Sequence, residues 1–487
     1  MEYKITGYEP KALFQYFEEI SAIPRGSGNE KEISEYLIAF AKAHNLECYH
    51  DNLNNVVIKK PATKGFEKSP AVMLQGHQDM VCEKNNDVIH DFEKDGIDLI
   101  VKDGLVKANG TTLGADNGIA VAMMLALLSA DNLKHPALEC VFTVEEEVGL
   151  NGAAGLDASV LDARIMINLD SEEEGIATVS CAGGMRYTMK KDASYETIKQ
   201  PLLLSIVVKG LLGGHSGADI HLERGNANKI MGRLLQAVLK ETKMQLVSIK
   251  GGNKDNAIPR ECMSTLAFSN QEERNLAFKI LEGLRKNLME ELHADEPSFV
   301  MEIQRSENDS VDAWTRKETE NIIKLIFLSP DGAQKRNVRQ GGFIVASLNM
   351  GVVESNDKGI SVVFAPRSSI SSLQKEIVQR LTLLTEEFGF RYEIAGEYPG
   401  WSFAEESKIR DAFSESFHRL FEKELQIEAI HAGLECGLFA DKLPGLDAIA
   451  VGPTMRNCHT PDETLDLASC ERTWKLLTDV LEGLCIA

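Results

Sequence analysis

Apolar segments and polar turns alternate in a regular order along the first 180 residues. Three apolar runs predict buried strands, at residues 71–75, 137–144 and 164–169. Apolar positions at helical spacing predict helices at residues 10–23, 30–45 and 119–129. Buried strands that alternate with helices are typical of a parallel sheet covered by helices. We therefore expect an α/β fold with a central, mostly parallel sheet flanked by helices.

The pattern changes in the middle of the chain, where alternating strands and longer amphipathic helices replace the buried runs. Two stretches, residues 244–303 and 344–394, share one element order and suggest two βαβ-like units. The α/β pattern returns from about residue 397. We therefore expect one domain of residues 1–184 and 397–487, with an α+β domain of residues 185–396 inserted into it.

Length and charge restrict the classes of protein to consider. A chain of 487 residues is too long for one ordinary core, and 43% hydrophobic with 26% charged residues is typical of a soluble globular protein. The formal net charge of −22 argues against nucleic acid or an anionic membrane as partner. No uncharged apolar run approaches the ~20 residues of a membrane span.

Cysteine usage and the N-terminal residues indicate the compartment. The nine cysteines are scattered without a CxxC pair, which favours reduced thiols over disulfides or a thiolate zinc site. The first residues lack a basic segment followed by an apolar core, so no signal peptide is expected. These features predict a cytoplasmic protein.

Polar side chains follow each of the three predicted strands. His77 and Asp79 follow the first, a run of glutamates at 145–147 follows the second, and Asp170 follows the third. Because parallel strands end at the same edge of a sheet, we expect these side chains to converge there. An HxD pair suits a metal ligand whose second ring nitrogen is held by a carboxylate. The alternatives are a solvated acidic turn and a capping aspartate beside an incidental histidine.

Asp116 opens the apolar helix that follows Leu113-Gly114. Its usual explanation at such a position would be a helix N-cap. The Asp-Asn-Gly sequence also suits a backbone that turns the carboxylate away from the helix. Both alternatives stay open at this point.

The collected residue types favour a catalytic metal centre. One histidine and several carboxylates without thiolates are a ligand set for zinc, cobalt or manganese. There are more carboxylates than one tetrahedral zinc needs. Two metals bridged by one carboxylate would use the surplus and suit hydrolysis.

Seven motifs along the chain resemble a known family. In order they are GHQDMV, LGADNG, TVEEEVGLNGA, NLDSEEEG, GGHSGADI, HAGLECG and NCHTPDE. Together they closely resemble the aminoacyl-histidine dipeptidases, the PepD-type, carnosinase-like branch C of the M20 di-zinc peptidases. The resemblance covers essentially the whole chain.

The resemblance implies two divalent metal ions per subunit, with zinc expected and cobalt or manganese as alternatives. It makes His77 and Asp170 ligands of one metal, Glu147 and His459 ligands of the other, and Asp116 the bridge. A cis peptide is expected between Asp116 and Asn117. Asp79 would orient His77.

The resemblance also separates the three glutamates, which strand alternation alone cannot do because the turn disturbs its phase. Aligned on Gly149, Glu146 would be the general base and Glu147 the ligand. Glu145 would have no catalytic role.

The inserted domain would be a lid that also forms a homodimer. His215 resembles the lid histidine that reaches the substrate carbonyl, from its own or the partner subunit. Asn256 and Arg367 match lid positions that hold the substrate, and a guanidinium suits a terminal carboxylate. For His431 and Glu435, a structural and a functional role both stay open.

The implied function is a metal-dependent dipeptidase that hydrolyses Xaa-His and other dipeptides such as β-Ala-His. A metal-bridging water would be activated by the glutamate base. The alternative is another amidohydrolase of the superfamily, an aminoacylase, a deacetylase or a tripeptidase. A non-catalytic, metal-dependent binding protein is disfavoured because all five ligands, the base and the orienting residue are present.

Overall fold

The computed structural model describes residues 3–339 and 341–485. The chain divides into two compact units. Unit 1 comprises Met1–Cys181, Trp401–Ala429 and Leu434–Ala487, and unit 2 comprises Ala182–Gly400 and Ile430–Gly433. The units change over within four residues of the expected boundaries. The short segment Ile430–Gly433 differs from the expectation, which placed it in the first domain.

Among its described residues, the first part of unit 1 contains four α-helices and eight strands. The helices are α1 (Lys11–Ser21), α2 (Lys31–Ala43), α3 (Ala115–Ser129) and α4 (Asn151–Gly155). The strands are β1 (Glu47–His50), β2 (Val56–Lys60), β3 (Val72–His77), β4 (Leu99–Lys102), β5 (Leu105–Ala108), β6 (Leu138–Thr143), β7 (Ile165–Asn168) and β8 (Ile176–Cys181).

The described part of unit 2 contains the next thirteen strands and four α-helices. Its strands are β9 (Gly183–Asp192), β10 (Tyr195–Lys199), β11 (Leu202–Lys209), β12 (Gly214–His215), β13 (Gln245–Gly251), β14 (Ala257–Ile258), β15 (Cys262–Phe268), β16 (Val300–Glu307), β17 (Ser310–Trp314), β18 (Gly332–Arg336), β19 (Ile344–Asn356), β20 (Gly359–Ser368) and β21 (Arg391–Tyr398). Its helices are α5 (Ala227–Glu241), α6 (Gln271–Leu292), α7 (Arg316–Leu328) and α8 (Ser371–Glu387).

The last part of the chain adds further helices and strands. They are α9 (Lys408–Phe421), β22 (Gln426–Ile430), α10 (Glu435–Lys442), β23 (Asp447–Ala450), β24 (Met455–Arg456), β25 (Thr464–Asp466) and α11 (Leu467–Gly483).

The main sheet of unit 1 has the strand order β1-β2-β6-β3-β7-β23-β8-β22. Its centre, β6-β3-β7-β23, is parallel, while β1 and β2 pair antiparallel at one edge. This mostly parallel sheet with covering helices confirms the predicted α/β class. Helix α3, whose residues from Ala115 to Leu128 are all buried, lies close to β3. A Cβ on Gly76 would stand 2.7 Å from Ala120 Cβ, so the strand accepts only glycine at this close approach.

The main sheet of unit 2 is antiparallel in all its assigned pairs among the described residues. Helix α6 connects β15 to β16, which both flank β11. Helix α8 likewise connects β20 to β21, which both flank β9. Each is thus a split βαβ unit, with a third strand between its two parallel strands. Apolar side chains of α5, including Met231 and Leu235, are buried in the core of this unit.

Among residues 3–339 and 341–485, none of the helices has the length and apolar character needed to cross a membrane.

Candidate metal centre

Sheet register brings the expected ligands of unit 1 to one edge. His77 is the last residue of β3 and pairs with Thr143, the last residue of β6. On the other side of β3, Gln75 pairs with Asn168, the last residue of β7. The glutamate turn after β6 and Asp170 after β7 therefore leave the sheet beside His77, as predicted for parallel strand ends.

Asp116 lies at the middle of the cluster. Its Oδ1 is 3.2 Å from His77 Nε2, and its Oδ2 is 3.2 Å from His459 Nε2. The N-cap alternative is wrong, because Gly114 occupies the cap position and Asp116 has a non-helical backbone inside the first turn. The peptide between Asp116 and Asn117 is cis, as expected. One carboxylate therefore faces a histidine on each side.

Among the described residues, three groups of side chains that could hold a cation share Asp116; one of them adds Glu172 and Cys458, and the other two consist of expected ligands. Of these two, one consists of His77, Asp116 and Asp170, and the other of Asp116, Glu147 and His459. In each group the potential ligand atoms lie within 4.8 Å of one another. His459 Nε2 is 3.1 Å from Glu147 Oε1, and His77 Nε2 is 3.5 Å from Asp170 Oδ1. The five candidate ligands are thus brought together as two sets with a common carboxylate.

Asp79 is fully buried beside His77, with its Oδ1 3.3 Å from the ring Nδ1. The same carboxylate accepts hydrogen bonds from the backbone N–H groups of Glu146 and Glu147, at 3.1 and 3.3 Å. It also accepts from the hydroxyl of Ser27 at 2.8 Å. Asp79 therefore connects the histidine to the glutamate turn, a second contact that the HxD spacing does not reveal.

The three glutamates have different surroundings. The potential ligand atoms of Glu146 lie within 4.8 Å of those of His77 and Glu147. Those of Glu147 also lie within 4.8 Å of those of His459. Glu145 has a left-handed backbone with φ of 49°, and its side chain accepts a hydrogen bond from Asn151 Nδ2 at 2.9 Å. The left-handed residue breaks the strand alternation at the start of the run.

The charges of the cluster fit a cation. Burial, together with Asp170, Glu435 and Glu147, raises the pKa of Glu146 to about 9. Hydrogen bonds to Asp116 and Glu147 raise the pKa of His459 to about 11. Carboxylates packed this closely repel one another unless positive charge is shared among them. A set of two histidines and several carboxylates is a suitable donor set for divalent ions such as zinc.

Two residues that the sequence analysis missed hold the loop of Asp116. The buried carboxylate of Glu463 accepts hydrogen bonds from four consecutive backbone N–H groups, residues 113–116, at 2.7 to 3.2 Å. The buried guanidinium of Arg25 donates to the carbonyls of Gln78, Asp79 and Gly114. All of these partners are backbone groups distant in sequence, so no local pattern could identify them.

The three expected lid residues lie together in unit 2. His215 is in β12 and pairs with Ala257, next to Asn256. Asn256 and Arg367 line one cavity of about 170 Å³, together with Tyr398 and Arg186. The Nδ1 atom of His215 accepts from the backbone N–H groups of Gly217 and Ala218, at 3.2 and 3.0 Å. The ring proton is therefore assigned to Nε2, which leaves that nitrogen as a donor.

Electrostatics in unit 2 keep this histidine neutral. Burial and the guanidinium of Arg367 lower the pKa of His215. Arg367 donates from Nη1 to the hydroxyl of Tyr398 at 2.9 Å. Unit 2 therefore presents a neutral donor and a fixed guanidinium.

Comparison with known proteins agrees with the sequence motifs. Residues 73–483 match the model of peptidase family M20/M25/M40. The chain is 37% identical to the cytosol non-specific dipeptidase of Escherichia coli (strain K12), over 98% of this chain and 99% of that protein. It also matches the crystal structure of aminoacylhistidine dipeptidase from Vibrio alginolyticus, with 35% identity, a TM-score of 0.94, and coverage of 98% and 97% of the two chains.

More distant relatives share the fold. The crystal structure of aminopeptidase PepT from Bacillus cereus matches with a TM-score of 0.56 and 15% identity, over 98% of this chain and all of that one. The resemblance found in the motifs is confirmed by the closer matches. The chain belongs to peptidase family M20/M25/M40.

Proposed function

We propose that this protein is a metal-dependent dipeptidase that hydrolyses Xaa-His dipeptides, β-Ala-His among them, and other dipeptides. The observation that carries the proposal is Asp116, whose two carboxylate oxygens face His77 and His459 at 3.2 Å each. A carboxylate shared by two ligand sets is the arrangement that a two-metal hydrolase requires. The two similar dipeptidases support the choice of substrate class.

We assign His77 and Asp170 to one divalent ion, Glu147 and His459 to the other, and Asp116 to both. Zinc is the ion we expect, with cobalt and manganese as alternatives. When bound, such ions acidify a shared water and polarise the peptide carbonyl. Asp79 would keep the Nε2 of His77 directed at its ion, since its carboxylate already lies against Nδ1.

Glu146 is the general base in this proposal. Its side chain lies beside the candidate ligands, with potential ligand atoms within 4.8 Å of those of His77 and Glu147, and a carboxylate placed there can accept a proton from the attacking water. It would remove a proton from the attacking water and return that proton to the leaving amine. Glu145, which is committed to Asn151, takes no part.

Unit 2 would recognise the substrate. Arg367 and Asn256 line a cavity suited to a terminal carboxylate, because a guanidinium can bind a carboxylate through two parallel hydrogen bonds. His215 would donate from Nε2 to the oxygen that becomes negative during attack. We further propose that unit 2 is the lid, that it forms a homodimer, and that the enzyme is cytoplasmic, like the similar cytosol dipeptidase.

The proposal is tested by metal analysis and a substrate panel. The protein is stripped with a chelator, reloaded with zinc, cobalt or manganese, and assayed with β-Ala-His, other dipeptides, N-acyl amino acids and tripeptides. We expect about two ions per chain and turnover of dipeptides. Preference for N-acyl amino acids or tripeptides would indicate another amidohydrolase of the superfamily. If none of these substrates were hydrolysed, the proposal that the protein is an enzyme would be contradicted.

A further inference from the structure

Glu435 has no part in the proposed reaction, although it is completely buried in unit 1. It is the first residue of α10 and belongs to the HAGLECG motif. A buried carboxyl group is costly unless its hydrogen bonds are satisfied. Its position therefore calls for an explanation in its contacts.

One carboxylate oxygen of Glu435 connects two strands of the parallel sheet. Its Oε2 accepts a hydrogen bond from the hydroxyl of Thr143 at 2.7 Å, and another from the side-chain amide of Gln75. Thr143 ends β6, and Gln75 lies near the end of β3. Both residues are fully buried.

The network extends to a third strand. Gln75 Oε1 accepts a hydrogen bond from Asn168 Nδ2 at 2.7 Å, and Asn168 ends β7. Asn168 Oδ1 in turn accepts from the backbone N–H of Asp170 at 3.1 Å. The carboxylate thus joins β6, β3 and β7 through side chains alone.

Each of these strand residues lies just before a residue of the candidate centre. Gln75 precedes His77 by two positions, Asn168 precedes Asp170 by two, and Thr143 precedes Glu146 by three. Backbone pairing sets the strand register; it ends at Gln75 and Asn168 between β3 and β7, and at His77 and Thr143 between β3 and β6. The side-chain network therefore acts at the ends of the paired strands, directly before the candidate centre.

The other end of α10 is attached beyond the glutamate turn. Lys442 Nζ donates to the carbonyls of Ala153, Ala154 and Leu156, at 2.7, 2.6 and 2.8 Å. These carbonyls lie at the end of α4, the helix that follows the turn. Helix α10 is therefore anchored to the chain before the turn by Glu435 and after it by Lys442.

We propose that Glu435 is a positioning residue for the metal centre. It fixes the ends of β3, β6 and β7 so that His77, Asp170 and the glutamate turn keep the spacing needed to hold two ions. The inference rests on the proposed metal centre, and it distinguishes Glu435 from a residue that only stabilises the fold.

The test compares Glu435→Leu with Glu139→Leu. Glu139 lies on β6 near the opposite end of the strand and is also buried. Its carboxylate accepts from the backbone N–H groups of Asp162 and Ala163, at 3.0 to 3.1 Å, and pairs with Lys59. Both substitutions remove a buried carboxylate, one that β6 carries and one that accepts a hydrogen bond from β6, but only Glu435 is next to the centre.

We expect Glu435→Leu to weaken metal binding by roughly 10- to 100-fold, the usual effect of losing a residue that orients ligands. Binding is measured by chelator competition, and the visible absorption spectrum of the cobalt-loaded protein should change. Glu139→Leu should lower the melting temperature while leaving metal affinity and the cobalt spectrum unaltered. Glu435→Gln, which keeps an acceptor oxygen, should restore most of the affinity.

Metal affinity and a cobalt spectrum within twofold of the unsubstituted protein in Glu435→Leu would overturn the inference. If that variant does not fold, Thr143→Val decides the question, because it removes one contact of the network with little change in volume. Thr143→Val should then weaken metal binding severalfold, and unchanged binding in Thr143→Val would overturn the inference. Failure of the unsubstituted protein to bind any metal would instead contradict the proposed function itself.

Discussion

The polar clusters of the two units differ in charge and in how they are built. The cluster in unit 1 is rich in carboxylates and stands at the ends of parallel strands, where backbone amides and buried side chains hold several of the candidate ligands. The cluster in unit 2 comes from an antiparallel sheet and its loops, and it offers a guanidinium, an amide and a neutral imidazole. The first arrangement suits cations and the second suits a carboxylate and a carbonyl. In the proposed enzyme, one chain would therefore separate reaction chemistry in unit 1 from substrate recognition in unit 2.

Loss of the proposed base, Glu146, should give the largest effect. Glu146→Gln removes the proton acceptor and keeps a side chain of the same shape, so kcat should fall by about 10²- to 10⁴-fold. The content of bound metal should stay at that of the unsubstituted protein. Steady-state kinetics and metal analysis on the same sample measure both quantities.

Glu145→Gln is the matched control, because the side chain of Glu145 hydrogen-bonds only to Asn151 among the described side chains. Its kcat should stay within a few-fold of that of the unsubstituted protein. A larger loss in Glu145→Gln than in Glu146→Gln would shift the assignment by one residue.

Loss of the guanidinium in unit 2 should act on recognition. Arg367→Met should lower kcat/KM for dipeptides by roughly 30-fold or more, since losing one partner of a buried charge pair costs about 2–5 kcal/mol. Most of this loss should appear in KM. Dipeptides with an amidated C-terminus, which lack the carboxylate, should be affected far less.

Tyr398→Phe is the finer control, because it removes only the hydroxyl that accepts from Arg367. Tyr398→Phe should also lower kcat/KM for dipeptides, but by less than Arg367→Met does. Equal losses of Arg367→Met on free and amidated dipeptides would show that Arg367 does not bind the carboxylate.

The residue that orients His77 should affect metal binding more than it affects recognition. Asp79→Asn weakens the acceptor that faces His77 and the glutamate turn, so metal affinity should fall by about 10- to 100-fold. Chelator competition measures the affinity. Ser27→Ala removes a single donor to the same carboxylate and should change affinity by a few-fold at most. A larger loss of metal affinity in Ser27→Ala than in Asp79→Asn would show that Asp79 does not orient His77.

The smallest effect concerns stability in unit 2. Burial and Arg367 lower the pKa of His431 to about 3, whereas the unfolded chain has a pKa of about 6.5 at this residue. Below pH 6.5 only the unfolded state gains the proton, so stability falls as the pH drops from 6.5 towards 3. At pH 5 the loss is about 2 kcal/mol.

Hydrogen exchange of the amides of β19, which carries the His431 partner Ser347, should show this loss between pH 7 and pH 5, after correction for intrinsic exchange rates. His431→Asn should make the pH dependence shallower. Identical pH dependence with and without the histidine would contradict the assignment.

The sequence predicted the elements better than their connections. The strands ending in His77, the glutamate run and Asp170 were predicted within a few residues, because buried parallel strands carry a strong apolar pattern. The ligand groups followed from strand ends and from the family motifs. Their supports did not, since Glu463 and Arg25 bind backbone groups remote in sequence and any residue type could supply those groups.

Two short strands outside the main sheet of unit 1 were also missed. Residues 99–108 form β4 and β5 with few buried positions, so periodicity alone does not mark them. The expected boundary in the C-terminal half failed at Ile430–Gly433 for a similar reason. These four residues join unit 2 through a hydrogen bond from the backbone N–H of Ala182 to the carbonyl of Ala432. The sequence on either side of them does not have a composition typical of a linker.

That segment has a consequence for the order in which the chain is made. Residues 182–400 leave the ribosome before the segment exists, so the bond to Ala182 must wait for a later part of the chain. Gly433 also lies against the ring of Tyr398, where a Cβ would come within 2.8 Å of a ring carbon. Unit 2 expressed as a continuous fragment would lack this piece. A separate recognition domain would need residues 430–433 joined to it by a designed linker.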